Sequence, residues 1–388
     1  MPRPLFFPLV ISCCLALTGI TGAARAGEAG SLFSTSGWSL APELKTRLGY
    51  DSNIFARTDG DGDAFLEVEP SLTLARRPSL TALSFEASAR ATGFLDYSNE
   101  NSIDPAVRAR YRYPEEAGTL PTYEMDASFS QSSVANPDVG RRVRETDWAF
   151  RWDGQVKTTS KATLRALLSA RRLSYREWDL NVNETVEAGL VMAFVSNPKL
   201  ELGAGYGLSF SRSLPGMPGL ESTNRLANAL TLRGRGDFTP NLSGRWYAGL
   251  AHATYSKSLD ESDLDVVAGA DLAVVLRERL QLIIKGGRQV YFSPDGDATR
   301  ETSAGVEVRQ TIAGGFTATF GVQGIRRVYR RVVNYRRDNV FPLRAALDYT
   351  IRPRFRAGLE VTWYTQKSDW AFRSYDRTTI SARTFHQF

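Results

Sequence analysis

The chain has 388 residues, with 48 Lys and Arg against 42 Asp and Glu, for a net charge of +6. That balance is mild and well mixed, and it argues against a nucleic-acid partner, which requires a clustered basic face. Only two Cys and two His are present, and both Cys (Cys13 and Cys14) fall in the first 26 residues. The rest of the chain therefore carries no disulfide or thiol chemistry and no defensible transition-metal site.

The first element reads MPRPLFFPLVISCCLALTGITGAARA. An early Arg3, an apolar run from Leu5 to Ile20 and Ala24-x-Ala26 fit a secretory signal over residues 1–26, cleaved after Ala26. A lipoprotein site at Cys13 is the rival, ranked lower because the apolar run continues past it. Removing the signal takes Arg3 and Arg25 with it and leaves 46 basic against 42 acidic residues, or +4. Residues 27–37 are expected to form a short periplasmic lead, too short to thread a polymer, and 38–388 a single domain. No later segment reaches the roughly 18 apolar residues of a membrane helix.

The domain is organised by a period of two. Leu200, Leu202, Ala204, Tyr206, Leu208 and Phe210 alternate with Glu201 and a row of Gly and Ser. Phe341–Ile351 and Phe355–Tyr364 repeat the pattern, with Arg344, Asp348, Arg356 and Glu360 on the polar face. Alternation of this kind marks strands with one apolar and one polar face. It recurs near 40–50, 66–74, 83–97, 107–113, 123–129, 148–152, 162–170 and 186–194, then near 226–232, 246–254, 266–276, 280–286, 304–312, 316–322 and 378–388. That makes about eighteen strands, and a merged or missed hairpin would give sixteen.

Connections alternate in length. Tight turns are expected at 76–79, 158–161, 196–199, 239–241, 277–280, 313–315 and 352–354, and long polar loops at 98–104, 135–147, 214–223, 259–265, 293–299 and 366–374. Residues 113–122 break the rule, being long on the short side. Short periplasmic turns opposite long extracellular loops describe an all-β, single transmembrane antiparallel barrel in a Gram-negative-type outer membrane. Lipid offers no hydrogen bonds, so the sheet must close on itself. The apolar face then points to lipid and the charged face lines a lumen. Trp38, Trp148, Trp246 and Trp363 are expected near strand ends, in interfacial girdles. Lipid, lipopolysaccharide and the barrel-assembly machinery follow as partners. The terminal Phe388 resembles the signal by which bacterial barrels are recognised for assembly, although His386 departs from its usual pattern.

The stretch LGYDSNIFARTDGDGD (48–63) raises two readings. Asp59, Asp61 and Asp63 share the spacing of the first ligands of an EF-hand, but the position of its turn glycine holds Ala64 and that of its bidentate Glu holds Pro70. A solvated loop is the preferred reading, with weak calcium capture at the cell surface as its alternative. Tyr50, Asp51, Asn53, Ile54 and Phe55 resemble the "YDxNIF"-type segment near the start of the putative beta-barrel porin 2 family. Those outer-membrane proteins are often associated with exopolysaccharide or capsule production. The resemblance implies a role in export or secretion of a surface polysaccharide, with the polymer and periplasmic export components as further partners.

The lumen face is the candidate site. It collects Arg47, Arg90, Arg108, Arg110, Arg112, Arg151, Arg165, Arg344 and Arg356, with Glu124 and Asp126 among the opposing acids. They form either an ion-pair lattice that stiffens the wall or a track that orients anionic or hydroxyl-rich solutes. His252 falls on the lipid side without an acid nearby, so no catalytic group and no cofactor are expected. Beside the polysaccharide channel stand two other readings, a general solute porin and a non-conducting structural or adhesin barrel. Inward loops or tightly paired charges would favour the last.

Overall fold

A computed structural model describes residues 33–35, 37–76, 80–114, 121–197, 199–217, 222–256, 263–330 and 335–388. The signal at 1–26, most of the 27–37 lead, and the centres of the 76–79 and 113–122 connections lie outside these residues. The elements in chain order are β1 (Phe33–Thr35), β2 (Trp38–Asp51), β3 (Asp63–Arg76), β4 (Ala82–Phe94), β5 (Ser102–Tyr113), β6 (Thr122–Asn136), β7 (Arg141–Lys157), β8 (Ala162–Tyr175) and β9 (Val182–Asn197). They continue as β10 (Leu200–Leu214), β11 (Thr223–Thr239), β12 (Leu242–Tyr255), β13 (Asp263–Arg277), β14 (Leu280–Phe292), β15 (Ala298–Thr311), β16 (Phe316–Arg330), β17 (Arg336–Arg352), β18 (Phe355–Ser368) and β19 (Tyr375–Gln387).

Strands β2 to β19 pair antiparallel with their sequence neighbours, and β19 pairs back onto β2 from Thr379↔Asp51 to Gln387↔Glu43. The result is a closed barrel of eighteen strands. β1 is a three-residue hairpin partner on the start of β2. All eighteen periodic segments of the sequence become wall strands.

Closure inverts the usual burial. On β9, Val186, Leu190, Met192 and Phe194 are exposed on the outside, while Val191 on the opposite face is buried. On β11, Leu230 and Leu232 are exposed and Thr231 between them is buried. His252 lies opposite Asn228 and Leu264 on the outer face, as its parity requires. Described residues contain no helix long and apolar enough to cross a membrane, which says nothing of a barrel.

The wall strands β2 to β19 run 12 to 17 residues, against the roughly 9–11 that a tilted transmembrane strand needs. The surplus lies mostly at the end opposite the tight turns, and it corrects several loop boundaries. The expected loop at 135–147 shrinks to a turn at 137–140, because β6 and β7 continue into it. The loops at 98–104 and 366–374 likewise lose residues to β5 and β18. Trp148 consequently sits mid-strand on β7 rather than near an end, and Trp363 is five residues short of the end of β18. Sequence alternation lapses in these extensions because they stand beyond lipid, where neither face must be apolar.

Candidate functional site

Pairing register fixes which side chains face the lumen. On β2 the inward row is Glu43, Lys45, Arg47, Gly49 and Asp51, and on β3 it is Asp63, Phe65, Glu67 and Glu69. Arg47 donates to Ser381 Oγ at 3.0 Å and lies 3.5 Å from Glu67 and 3.7 Å from Glu360. Glu360 is a hub, accepting from Arg344 at 2.7 Å and Arg383 at 2.6 Å. Arg383 also reaches Asp348 at 2.7 Å. Arg90 and Lys45 share Glu69, at 2.8 Å and 3.1 Å. This wall is a lattice of opposite charges around a cavity of about 780 Å³ that spans to Lys285 and Glu307 on the far side. Individual pairs in such a wet setting contribute about 0–1 kcal/mol each, so they order the wall more than they stabilise the barrel.

The ladder on β5 is paired too. Arg108 and Arg110 both reach Asp126, at 2.7 Å and 3.2 Å, and Arg112 reaches Glu124 at 3.2 Å. All three guanidinium groups remain about half exposed, so solute and ions can meet them. Replacing the three with Gln removes their charge and leaves Asp126 and Glu124 uncompensated. The reversal potential of reconstituted protein under a salt gradient should then move toward cation preference, with membrane insertion intact. An unchanged potential would exclude this ladder from selectivity.

Arg151 and Arg165 share Asp153, the latter through a bidentate contact. Asp153 escaped the sequence reading although it alternates with Arg151 on β7, and Arg377 and Arg383 were missed in the same way on β19. Arg356 lies over the Phe385 ring at 4.5 Å. Among the described residues, no carboxylate forms an ion pair with Arg356, Arg233 or Lys285.

The family-like segment builds the rim of the mouth. Tyr50 points outward, whereas Asp51 is buried and accepts from Arg377 and from the Asn53 amide at 3.0 Å. Asn53 Nδ2 donates to the carbonyls of Arg57 at 2.7 Å and Asp376 at 3.1 Å. Ile54 is fully buried against Phe65 and Phe94, and Phe55 meets Tyr97 edge-on at 5.3 Å. These residues tie the 52–62 loop to the wall, including the first residues of β19, and Thr58 Oγ1 ties it to the β18–β19 loop through the carbonyls of Ala371 and Ser374. Each of the three aspartates that follow is engaged within the protein. Asp63 accepts from the amides of Asp96 and Tyr97. Asp61 pairs with Arg57 at 3.2 Å, and its carboxylate beside the Tyr97 hydroxyl raises that phenol's pKa. The carbonyl of Asp59 accepts from Arg57. Described residues hold no cluster of three metal-ligating side chains.

The mouth itself is covered. The β6–β7 turn reaches the wall at β16–β17, seven strands away around the ring in one direction and nine in the other. There Asp138 accepts from Tyr329 Oη at 2.5 Å and lies 3.4 Å from Arg336 Nη2. Arg336 also pairs with Asp338 and stacks over the Tyr329 ring at 4.2 Å. Arg336, Asp338, Tyr329 and Asp138 are all buried. A second span joins the β8–β9 loop to the β14–β15 loop, where the Asn181 amide donates to Pro294 O at 2.8 Å and Asn183 Nδ2 to Phe292 O at 3.1 Å. Asp138, Arg336, Asp338, Asn181 and Asn183 were not among the residues singled out in the sequence, and Tyr329 stood out there only as a loop aromatic able to stack on a sugar ring.

A closed barrel with lipid-facing aliphatic rows and a charged interior defines an outer-membrane, porin-like protein. Residues 34–187 match the model of the family described as Putative beta-barrel porin 2, which bears out over that span the resemblance read from Tyr50–Phe55. Among solved structures, OpdK of Pseudomonas aeruginosa with vanillate is similar at 12% identity and TM-score 0.49, covering 90% of this chain and 99% of that one. The G324V mutant of the ferric enterobactin receptor PfeA of Pseudomonas aeruginosa aligns at 9% identity and TM-score 0.47, covering 90% and 80%. The siderophore receptor PirA of Acinetobacter baumannii aligns at 8% and 0.46, covering 90% and 80%. No curated protein matches the chain.

Proposed function

We propose that the protein is a gated channel for hydrophilic, hydroxyl-rich or anionic solutes, serving export or secretion of a surface polysaccharide. The observation that carries this reading is the polar interior. Arginines and carboxylates line a cavity of about 780 Å³ beneath a mouth held by a hairpin tip and one loop contact. Charged linings of this sort set solute preference in pores. The polysaccharide link rests on the family-like segment at the rim. Outer-membrane lipid, lipopolysaccharide, the assembly machinery and separate periplasmic export components are the partners this role requires.

A second reading, a non-conducting structural barrel, is favoured by the same roof contacts and by the paired charges. Current across a planar bilayer containing purified full-length protein separates the two. Discrete conductance steps that a millimolar oligosaccharide blocks are the expected result. Steps insensitive to oligosaccharide would leave a general solute porin. Absence of current from both the native protein and a variant with a released roof would establish the structural barrel.

A further inference from the structure

The half of the lumen nearest the tight turns is not electrically balanced. A recess of about 560 Å³ there is lined by strands β7 to β16, within the roughly 300–1,000 Å³ of small-molecule sites. Five of its basic side chains have carboxylate partners. Arg151 and Arg165 share Asp153, Arg235 takes Glu201 at 3.0 Å, Arg245 takes Asp271 at 3.4 Å, and Arg288 takes Asp265. Two more, Arg233 and Lys285, line the recess without an ion pair.

Arg233 is half-buried, and its Nε donates to Thr231 Oγ1 at 3.0 Å. Its guanidinium extends over Gly205, where a Cβ would come within 3.1 Å of Nε. Tyr247, opposite Arg233 in the register, leans the other way and covers Gly269. Its ring centre stays 6.0 Å from the guanidinium carbon. A cation with no counter-charge thus stands beside an aromatic ring that faces a wet recess. Guanidinium groups bind carboxylates in a two-pronged geometry, and an aromatic face receives the apolar face of a sugar ring.

We propose that Arg233 and Tyr247 form a binding site for a carboxylated sugar, a hexuronate or a polymer end that bears one. Arg233 holds the carboxylate, Tyr247 stacks on the ring, and Lys285 adds long-range attraction. The site deepens the channel reading, on which it relies for delivery of solute. Its test does not need current. Glucuronate, glucose and acetate are titrated calorimetrically, at constant ionic strength, into folded full-length protein in detergent. Saturable glucuronate binding is expected, at least tenfold tighter than that of either fragment. Arg233→Gln should weaken it at least tenfold, and Tyr247→Ala should weaken it while Tyr247→Phe retains it. Leu230→Phe, on the outer face of the same strand, should change it less than threefold.

Heat-modifiable electrophoretic mobility confirms that each variant is folded. Should Arg233→Gln fail that check, Lys285→Gln and the three-ligand comparison on native protein decide. Glucuronate bound no tighter than acetate, or unaffected by Arg233→Gln, would overturn the site. Current without glucuronate binding refutes this site alone, and binding without current refutes the channel reading alone.

Discussion

Asp138→Ala should raise the conductance of the reconstituted protein about tenfold or more. Asp138 is the anchor by which the β6–β7 turn holds the far wall, through the Tyr329 hydroxyl and Arg336. Hydrogen bonds to charged groups contribute about 1.5–3 kcal/mol each. Losing even one such contribution therefore shifts a closed-to-open equilibrium by about tenfold or more. The substitution is cleaner than removing Arg336, since Arg336 keeps Asp338 and is not left as a bare buried charge. Arg336→Ala would instead strand two buried carboxylates, and breaking a buried pair in this way costs about 3–5 kcal/mol. Asp138→Asn keeps an acceptor for Tyr329 and should fall between native protein and Asp138→Ala. The latch is buried, so raising salt should not mimic the variants, because screening acts mainly on exposed charges. Thermal resistance of the barrel should not change, as the hairpin tip stands beyond the wall. Equal conductance for native protein and Asp138→Ala would show that the β6–β7 turn does not gate.

The wall was readable in the sequence for a physical reason. Lipid imposes a rule on every second residue, so Leu226, Leu230 and Leu232 or Phe341, Leu343 and Ala345 announce their face without knowledge of their neighbours. Charge pairing within the wall was half readable. Arg108, Arg110 and Arg112 were placed correctly beside Asp126 and Glu124, because consecutive strands are neighbours in a meander. The pairing that makes the roof was not readable. Asp138 and Arg336 are 198 residues apart, one in a turn and one on a strand far around the ring, and no local period relates them. The family-like segment was recognised but not understood. Asp51 meets Arg377 and Ile54 packs on Phe65 and Phe94, contacts made across strands that no local spacing relates. The aspartates beyond it looked like ligands because spacing along a chain resembles a site until the backbone turns them apart.

Leu230→Arg should destabilise the barrel by about 2–4 kcal/mol in lipid vesicles, as expected for a cation facing lipid at the bilayer midplane. Leu230 is the eighth of seventeen residues in β11, 66% exposed, with Tyr206 and Leu250 beside it on the outer face. In a soluble protein an exposed leucine is a tolerant position, and the same change would fall within about 0.5 kcal/mol. The gap between those figures decides which solvent the outer rows meet. Reversible urea unfolding in large unilamellar vesicles measures it. Leu230→Phe, which keeps the face apolar, should stay close to native stability and controls for shape. Thr231, one residue on, points the other way, accepts from Arg233 and donates to Gly205 O at 3.3 Å. Thr231→Val should leave insertion unaltered while unseating Arg233. A cost below about 0.5 kcal/mol for Leu230→Arg would mean that these aliphatic rows do not face acyl chains. In that case the arginines opposite them would not line a pore.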